Sequence, residues 1–277
     1  MLAALAGAAA VPLQAAAHTL SPGAADRRFA LVIGNSDYRF SPLKNPVNDA
    51  RSMAELLRSL GFDVIYRENA GRRAMLEAMQ SFVLRSKAYD VRLFYYAGHG
   101  VQLEGKNYLI PVDAEIVAAE DIPLKSADVS EMLERLGQNT TGMNIVVLDA
   151  CRNNPFADGA TLVQDGRRLK FRGATPGGLA PMDAPTGTLV AYATAPGAVA
   201  IDGVGAPHSL YTKHLLAHLP TPGLPVEQLF KRVRVAVIQE TKRQQVPWES
   251  SSLMGDFCFR VGSDGSCRYD GALFTRP

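Results

Sequence analysis

The chain lacks an excess of charge of one sign. Its 277 residues carry a formal net charge of +2, too close to neutral to argue for a nucleic-acid or membrane-surface partner. It also lacks an apolar run suited to a bilayer: the Ala- and Leu-rich N-terminal stretch is too short and too Ala-rich to span one. No internal repeat is evident, and no glycine-rich phosphate loop; "LVIGNSDY" is not a P-loop. Cysteine is scarce, with three, and tryptophan occurs once. Core material is ample. Hydrophobic residues make up 47% and charged residues 20%, a globular balance in a length that suits one large domain or two small ones.

The opening "MLAALAGAAAVPLQAAAHTL" has Ala-x-Ala triplets near Ala15 to Ala17. Residues 1–21 read as the apolar and cleavage regions of a signal peptide without its basic start, or as a disordered leader. The first reading predicts a periplasmic or secreted protein; the alternative is a cytoplasmic one. Cys258 and Cys267 flank Gly-Ser-Asp-Gly-Ser, turn chemistry that would let them face each other across a hairpin. A disulfide there suits an exported protein. Two free thiols are equally compatible with the spacing.

Along the chain, strand-like runs alternate with helical periodicity. "RFALVIGN" reads as a buried strand. From Asn48, an N-cap, "DARSMAELLRSLG" places Ala50, Met53, Ala54, Leu57 and Leu60 on one helical face and stops at Gly61. "FDVIYREN" is a second strand, "RRAMLEAMQSFVLRSK" a second amphipathic helix and "VRLFYYAGHG" a third strand, with "GKNYLIPVD" the far side of a short hairpin. Ser130 to Leu136 read as a helix and "NIVVLDAC" as a fourth strand. Residues 153–186 hold Gly, Pro and basic residues with no sustained period, so they read as a long loop. "TGTLVAYATAPG" resumes as a strand, helices follow near Leu210–Leu219 and Val226–Lys242, and "LMGDFCFRV" closes as a strand. This alternation predicts an α/β sandwich with a mostly parallel central sheet flanked by helices.

In such sheets, active groups gather at the carboxyl ends of the strands. The third strand ends in Ala97-Gly98-His99-Gly100 and the fourth in Asp149-Ala150-Cys151-Arg152. If these strands are parallel neighbours, His99 and Cys151 emerge side by side. A cysteine needs a base or cation to raise its thiolate fraction, and an imidazole in reach can later protonate a leaving amine. The N–H groups of Gly100 and Cys151 could together form an oxyanion hole. Taken singly, each residue has a plainer reading, a small buried cysteine and a hydrogen-bonded turn histidine.

"DACRN" resembles the cysteine motif of the caspase-like peptidases, whose base histidine lies about 50 residues upstream; here the separation is 52. "FYYAGHG" resembles the Ser-Gly-His-Gly stretch of that family, with Ala97 where metacaspases commonly carry Ser. "YATAPG", from Tyr192 to Gly197, is similar to the caspase Tyr-Ser-Thr-Ala-Pro-Gly, and "NDA" at Asn48–Ala50 to the metacaspase Asn-Asp-Ala. The four motifs stand in the family's order across Arg28–Val261, and together they look like a bacterial metacaspase-like member. The resemblance implies a caspase-hemoglobinase-like three-layer sandwich. It divides the chain into a large-subunit-like part (28–152), a basic loop (153–186), a small-subunit-like part (187–261) and a tail (262–277). It further implies a His99/Cys151 dyad, a covalent acyl-enzyme, and a segment at Tyr192 and Ala193 that meets the bound peptide.

Where caspases line their pocket with arginine to hold Asp, this chain carries acid. An ungapped overlay puts Asp202 at the place of one such arginine. Asp149 replaces the Gln two before the cysteine, and Asp49 falls where metacaspases and paracaspases place a pocket carboxylate. Carboxylates favour a cationic side chain and repel an acidic one, so the expectation is cleavage after Arg or Lys in protein or peptide substrates. Plainer roles are a helix cap for Asp49 and a glycine-rich turn for Asp202.

"DGRRLKFRG" offers Arg167, Arg168, Lys170 and Arg172 where the family often has a processing linker, so self-cleavage is one reading and a solvated basic loop the other. No cofactor is required, although the resemblance raises Ca²⁺ activation, with Glu120, Asp121 and Asp158 as loosely corresponding oxygen ligands. Trp248 either walls the groove or is a buried anchor. Metacaspase-like character favours a monomer. Two further classes stay in view: a phosphate-binding or receiver-like domain using Asp149, and a catalytically silent caspase-like interaction module.

Overall fold

The computed structural model describes residues 26–139, 141–150, 179–196, 198, 200, 205–265 and 267, and the backbone of 161–164 and 167–170. The order is β1 (Arg28–Gly34), α1 (Pro46–Ser59), β2 (Phe62–Glu68), α2 (Arg72–Ser86), β3 (Val91–Ala97), β4 (Gly100–Leu103), β5 (Lys106–Leu109), α3 (Asp121–Lys125) and β6 (Ala127–Asp128). It continues with α4 (Val129–Gly137), β7 (Met143–Asp149), β8 (Thr161–Gln164), β9 (Arg167–Lys170), β10 (Thr188–Tyr192), α5 (Leu210–His218), α6 (Val226–Glu240) and β11 (Trp248–Ser251).

The central sheet runs β11-β10-β7-β3-β1-β2, and every pairing except β10–β11 is parallel. Parallel strands need crossovers that cover both faces, which is why β3 and β7 are apolar almost throughout and buried at every position. One face packs on α1, α5 and α6 through Met53, Leu57, Leu215, Phe230 and Val233. The other packs on α2 and α4 through Met75, Phe82, Met132 and Leu136. The architecture is therefore a three-layer α/β sandwich with a mostly parallel sheet. A side sheet of β4, β5 and β6 branches off just after β3.

Several local expectations are corrected. Helix α1 starts at Pro46 behind Asn45, not at Asn48, because proline at the first helical turn loses no needed hydrogen bond and presets φ. The segment 153–186 contains the antiparallel hairpin β8–β9, so Arg167, Arg168 and Lys170 lie in a strand. Asp165-Gly166, between the two strands, is a strong short hairpin signal in the sequence. Residues 253–261 form no strand. Phe257, Cys258 and Phe259 are buried by packing, and Arg28 lies over the rings of Phe62 and Phe257 while donating to the Phe259 carbonyl at 2.6 Å. The closing strand is β11 instead. Its Trp248 is 48% exposed, so it is no buried anchor. Cys258 and Cys267 are joined in a disulfide.

Gly34 ends β1 where α1 passes closest: a Cβ there would stand 2.4 Å from the Pro46 carbonyl oxygen and 2.6 Å from the Ala50 Cβ. Gly34→Ala should cost about 1–3 kcal/mol through this overpacking, read as a lower urea midpoint. Thiol titration of the unreduced, denatured chain should find one reactive cysteine, and three after reduction.

Candidate active site

The sheet's register sets the site. Ala97, the last residue of β3, is level with Gly34 of β1 and Asp149 of β7, and Tyr192 of β10 is level with Leu148. The chain leaves β3 and β7 at one edge, and His99 follows β3 by the same two residues by which Cys151 follows β7. Cys151 itself lies outside the described residues, but its neighbourhood is defined up to Ala150. Gly98 N donates to the Asp149 carbonyl at 3.3 Å. At Gly100, a Cβ would meet the Cβ of Ala150 at 3.1 Å. The structure thus brings the His99–Gly100 segment against the strand end that leads into Cys151.

His99 is 1% exposed and held at both backbone and ring. Its N–H donates to the Tyr38 hydroxyl at 2.9 Å, and its carbonyl accepts from the Tyr96 hydroxyl at 2.8 Å and from Ile110 N at 3.0 Å. Gly98 makes this cradle possible: its φ is +155°, and any Cβ would collide with both tyrosine hydroxyls. The ring packs against Tyr38 with centroids 4.5 Å apart and stacks near Phe40. Nε2 lies 2.7 Å from the Ser41 carbonyl. That oxygen can only accept, so Nε2 carries the proton in the neutral ring and Nδ1 carries the lone pair. The arrangement fixes both the tautomer and the orientation of a potential base.

Asp49 and Asp149 are each fully buried and meet at one place. Asp49 lies in the first turn of α1 and Asp149 ends β7. Ser209, the N-cap of α5, touches both: its N–H reaches Asp49 at 3.2 and 3.3 Å, and its hydroxyl donates to Oδ2 of Asp149. Thr212 donates to the same Oδ2 at 2.7 Å, and its own hydroxyl lies 2.6 Å from that of Tyr95. His208 Nδ1 stands 2.9 Å from Oδ1 of Asp49. Burial pushes the His208 imidazole below its ordinary range. Tyr211, two residues after Ser209, is pushed well above the usual phenol range, first by burial and then by the charges of Asp149 and Glu249. The N-terminus of α5 favours negative charge beside it.

The remaining candidates divide. Asp202 and Asp158 lie outside the described residues, as does the leader at 1–21. Tyr192 and Ala193 are interior to the sheet. The Tyr192 hydroxyl accepts from Met182 N at 3.0 Å, and Ala193 gives its N–H to Leu148 and its carbonyl to Gln245 Nε2 at 2.8 Å. Both backbone groups of Ala193 are therefore already engaged within the fold. Asp121 spends its oxygens on the N–H groups of Val117 and Ala118 and on Lys125 Nζ, and Glu120 is exposed at the start of α3. Burial opposes ionisation of Asp121, but these donors outweigh it and hold the carboxyl low. A carboxylate already bound to an ammonium does not fit a calcium cage. Ser209, Thr212, Tyr38 and Ser41 were not singled out from sequence. For Ser209 a signal existed, a serine directly before a helical run.

The sandwich and this edge set a buried histidine and two buried acids beside the carboxyl ends of neighbouring parallel strands. A sequence model of the caspase domain matches residues 27–258, most of the chain, and the chain belongs to that family. It is similar to human mucosa-associated lymphoid tissue lymphoma translocation protein 1, at 32% identity over 146 residues, and to its mouse homolog at the same level. The aligned part is 51% of this chain, which spans only 17% of the length of either relative.

Tyr38→Phe keeps the ring against His99 but removes the acceptor of a buried N–H. It should lower stability by about 1–3 kcal/mol, measured as a shift in the urea midpoint at unchanged slope.

Proposed function

We propose that the protein is a cysteine endopeptidase that cleaves after Arg or Lys, with Cys151 as nucleophile and His99 as base. The observation that carries this reading is the convergence of His99, the Ala150 end of β7 and two buried carboxylates at one sheet edge. His99 Nδ1 takes the thiol proton, and the thiolate sulfur attacks the carbonyl carbon of the scissile bond. The oxyanion that forms is met by the N–H groups of Gly100 and Cys151. As the C–N bond breaks, the imidazolium returns its proton to the amine, leaving an acyl-enzyme that water, deprotonated by His99, hydrolyses.

Asp49 and Asp149 supply the preference. A guanidinium or ammonium entering beside them gains charge-assisted hydrogen bonds, whereas an Asp side chain would meet like charge. Asp202 is proposed as a third acid of this pocket. Basic residues in and beside β9, Arg167, Arg168, Lys170 and Arg172, are candidate self-processing positions. The disulfide supports an oxidising compartment, periplasmic or extracellular. A second reading, a catalytically silent interaction module, draws on one observation: both acids also serve the N-terminus of α5, a purely structural use.

Fluorogenic peptides ending in Arg, Lys or Asp separate these readings. Arg and Lys peptides should be cut and the Asp peptide left intact, with the rate falling by about 10⁴-fold or more in Cys151→Ala. Activity on the Asp peptide would overturn the pocket assignment, and inertness on all three the peptidase itself. Intact-mass measurement after incubation should show nicking within 165–173 in the wild type and none in Cys151→Ala.

A further inference from the structure

Two acids 100 positions apart in sequence, Asp49 on α1 and Asp149 at the end of β7, are joined through one small residue, Ser209. Its hydroxyl has two simultaneous jobs, accepting from Thr212 N at 3.0 Å as the cap of α5 and donating to Asp149 Oδ2. One oxygen with one proton can do both. Its backbone N–H, meanwhile, is shared by the two oxygens of Asp49, and the preceding His208 reaches one of those oxygens as well. A second donor line converges on Asp149. The Thr212 hydroxyl donates to Oδ2, so the Tyr95 hydroxyl, 2.6 Å from Thr212, must donate to Thr212 in turn. Every one of these side chains except His208 is buried.

We propose that Ser209 is a positioning residue for substrate recognition: it locks the carboxylates of Asp49 and Asp149 into one fixed relative placement, with Thr212 as the secondary clamp on Asp149. This rests on the reading of those acids as the pocket for a basic side chain. The physical reason is preorganisation. A carboxylate on β7 and one on α1 belong to different layers, and each could rotate about its own χ2. Tying both to the rigid first turn of α5 removes that freedom before substrate arrives, so the ordering cost is not charged to binding. The donors that Ser209 and Thr212 supply carry no charge, so this clamping does not itself neutralise the pair.

Four variants test this against a merely structural role. Ser209→Gly keeps the N–H on Asp49 and nearly all the capping stability but deletes the hydroxyl on Asp149; Ser209→Ala deletes the hydroxyl and weakens the cap. Ser209→Thr keeps both functions, and Thr212→Val removes the secondary donor at constant shape. With a peptide ending in Arg, Gly and Ala should each lose about 10- to 100-fold in kcat/KM, mostly in KM, despite different melting temperatures. Ser209→Thr should recover most of the loss, and Thr212→Val should fall between. The rate of Cys151 alkylation by iodoacetamide should stay at the wild-type value in Ser209→Gly. A Ser209→Gly enzyme as active as wild type, or losses that track melting temperature across the set, would overturn the positioning role alone. A wild type inert on Arg and Lys peptides would overturn the pocket reading and this role with it.

Discussion

The structure depends on the level register of β1, β3 and β7 at their carboxyl ends. Because Gly34, Ala97 and Asp149 are in step, the chain leaves the sheet at one height on neighbouring strands. A slip of one residue between β3 and β7 would turn Asp149 toward the opposite layer and part His99 from the β7 end. The register is itself enforced by burial. Both faces of β3 and β7 are covered, so any shift would exchange packed apolar side chains for misfitted ones throughout the core.

Around this edge the protein handles two kinds of polar group differently. His99 is fixed by neutral partners: two tyrosine hydroxyls on its backbone and a carbonyl on its ring. The two acids are fixed by a helix N-terminus and by hydroxyls. Burying a carboxylate is expensive unless donors surround it, and a protein would not normally place two side by side. On the proposed reading, a basic substrate side chain would offset part of that cost.

Fold and site were unequally legible in the sequence. The parallel core announced itself through unbroken apolar runs such as "RLFYY" and "IVVLD", and the helices through their periodicity. His99 was visible because it follows such a run between glycines. Where structure and local pattern differ there is one cause: tertiary packing or turn chemistry overrules the pattern. "DFCF" looked like a strand, but its rings are buried by Arg28 and the α5–α6 layer without joining the sheet. "WESS" is polar and became a strand because β10 had an open edge beside it. Ser209 and Thr212 act on residues far away in sequence, a relation no window of local sequence can display.

The Arg28–Phe259 clasp has a wider meaning. It ties the first strand of the domain to the segment after its last strand, while β7 and β10, which flank the basic segment, lie side by side in one sheet. A cut anywhere in that segment would divide the chain without dividing the fold. The two pieces would remain one body, held by a shared core, a strand ladder and a cation on an aromatic ring.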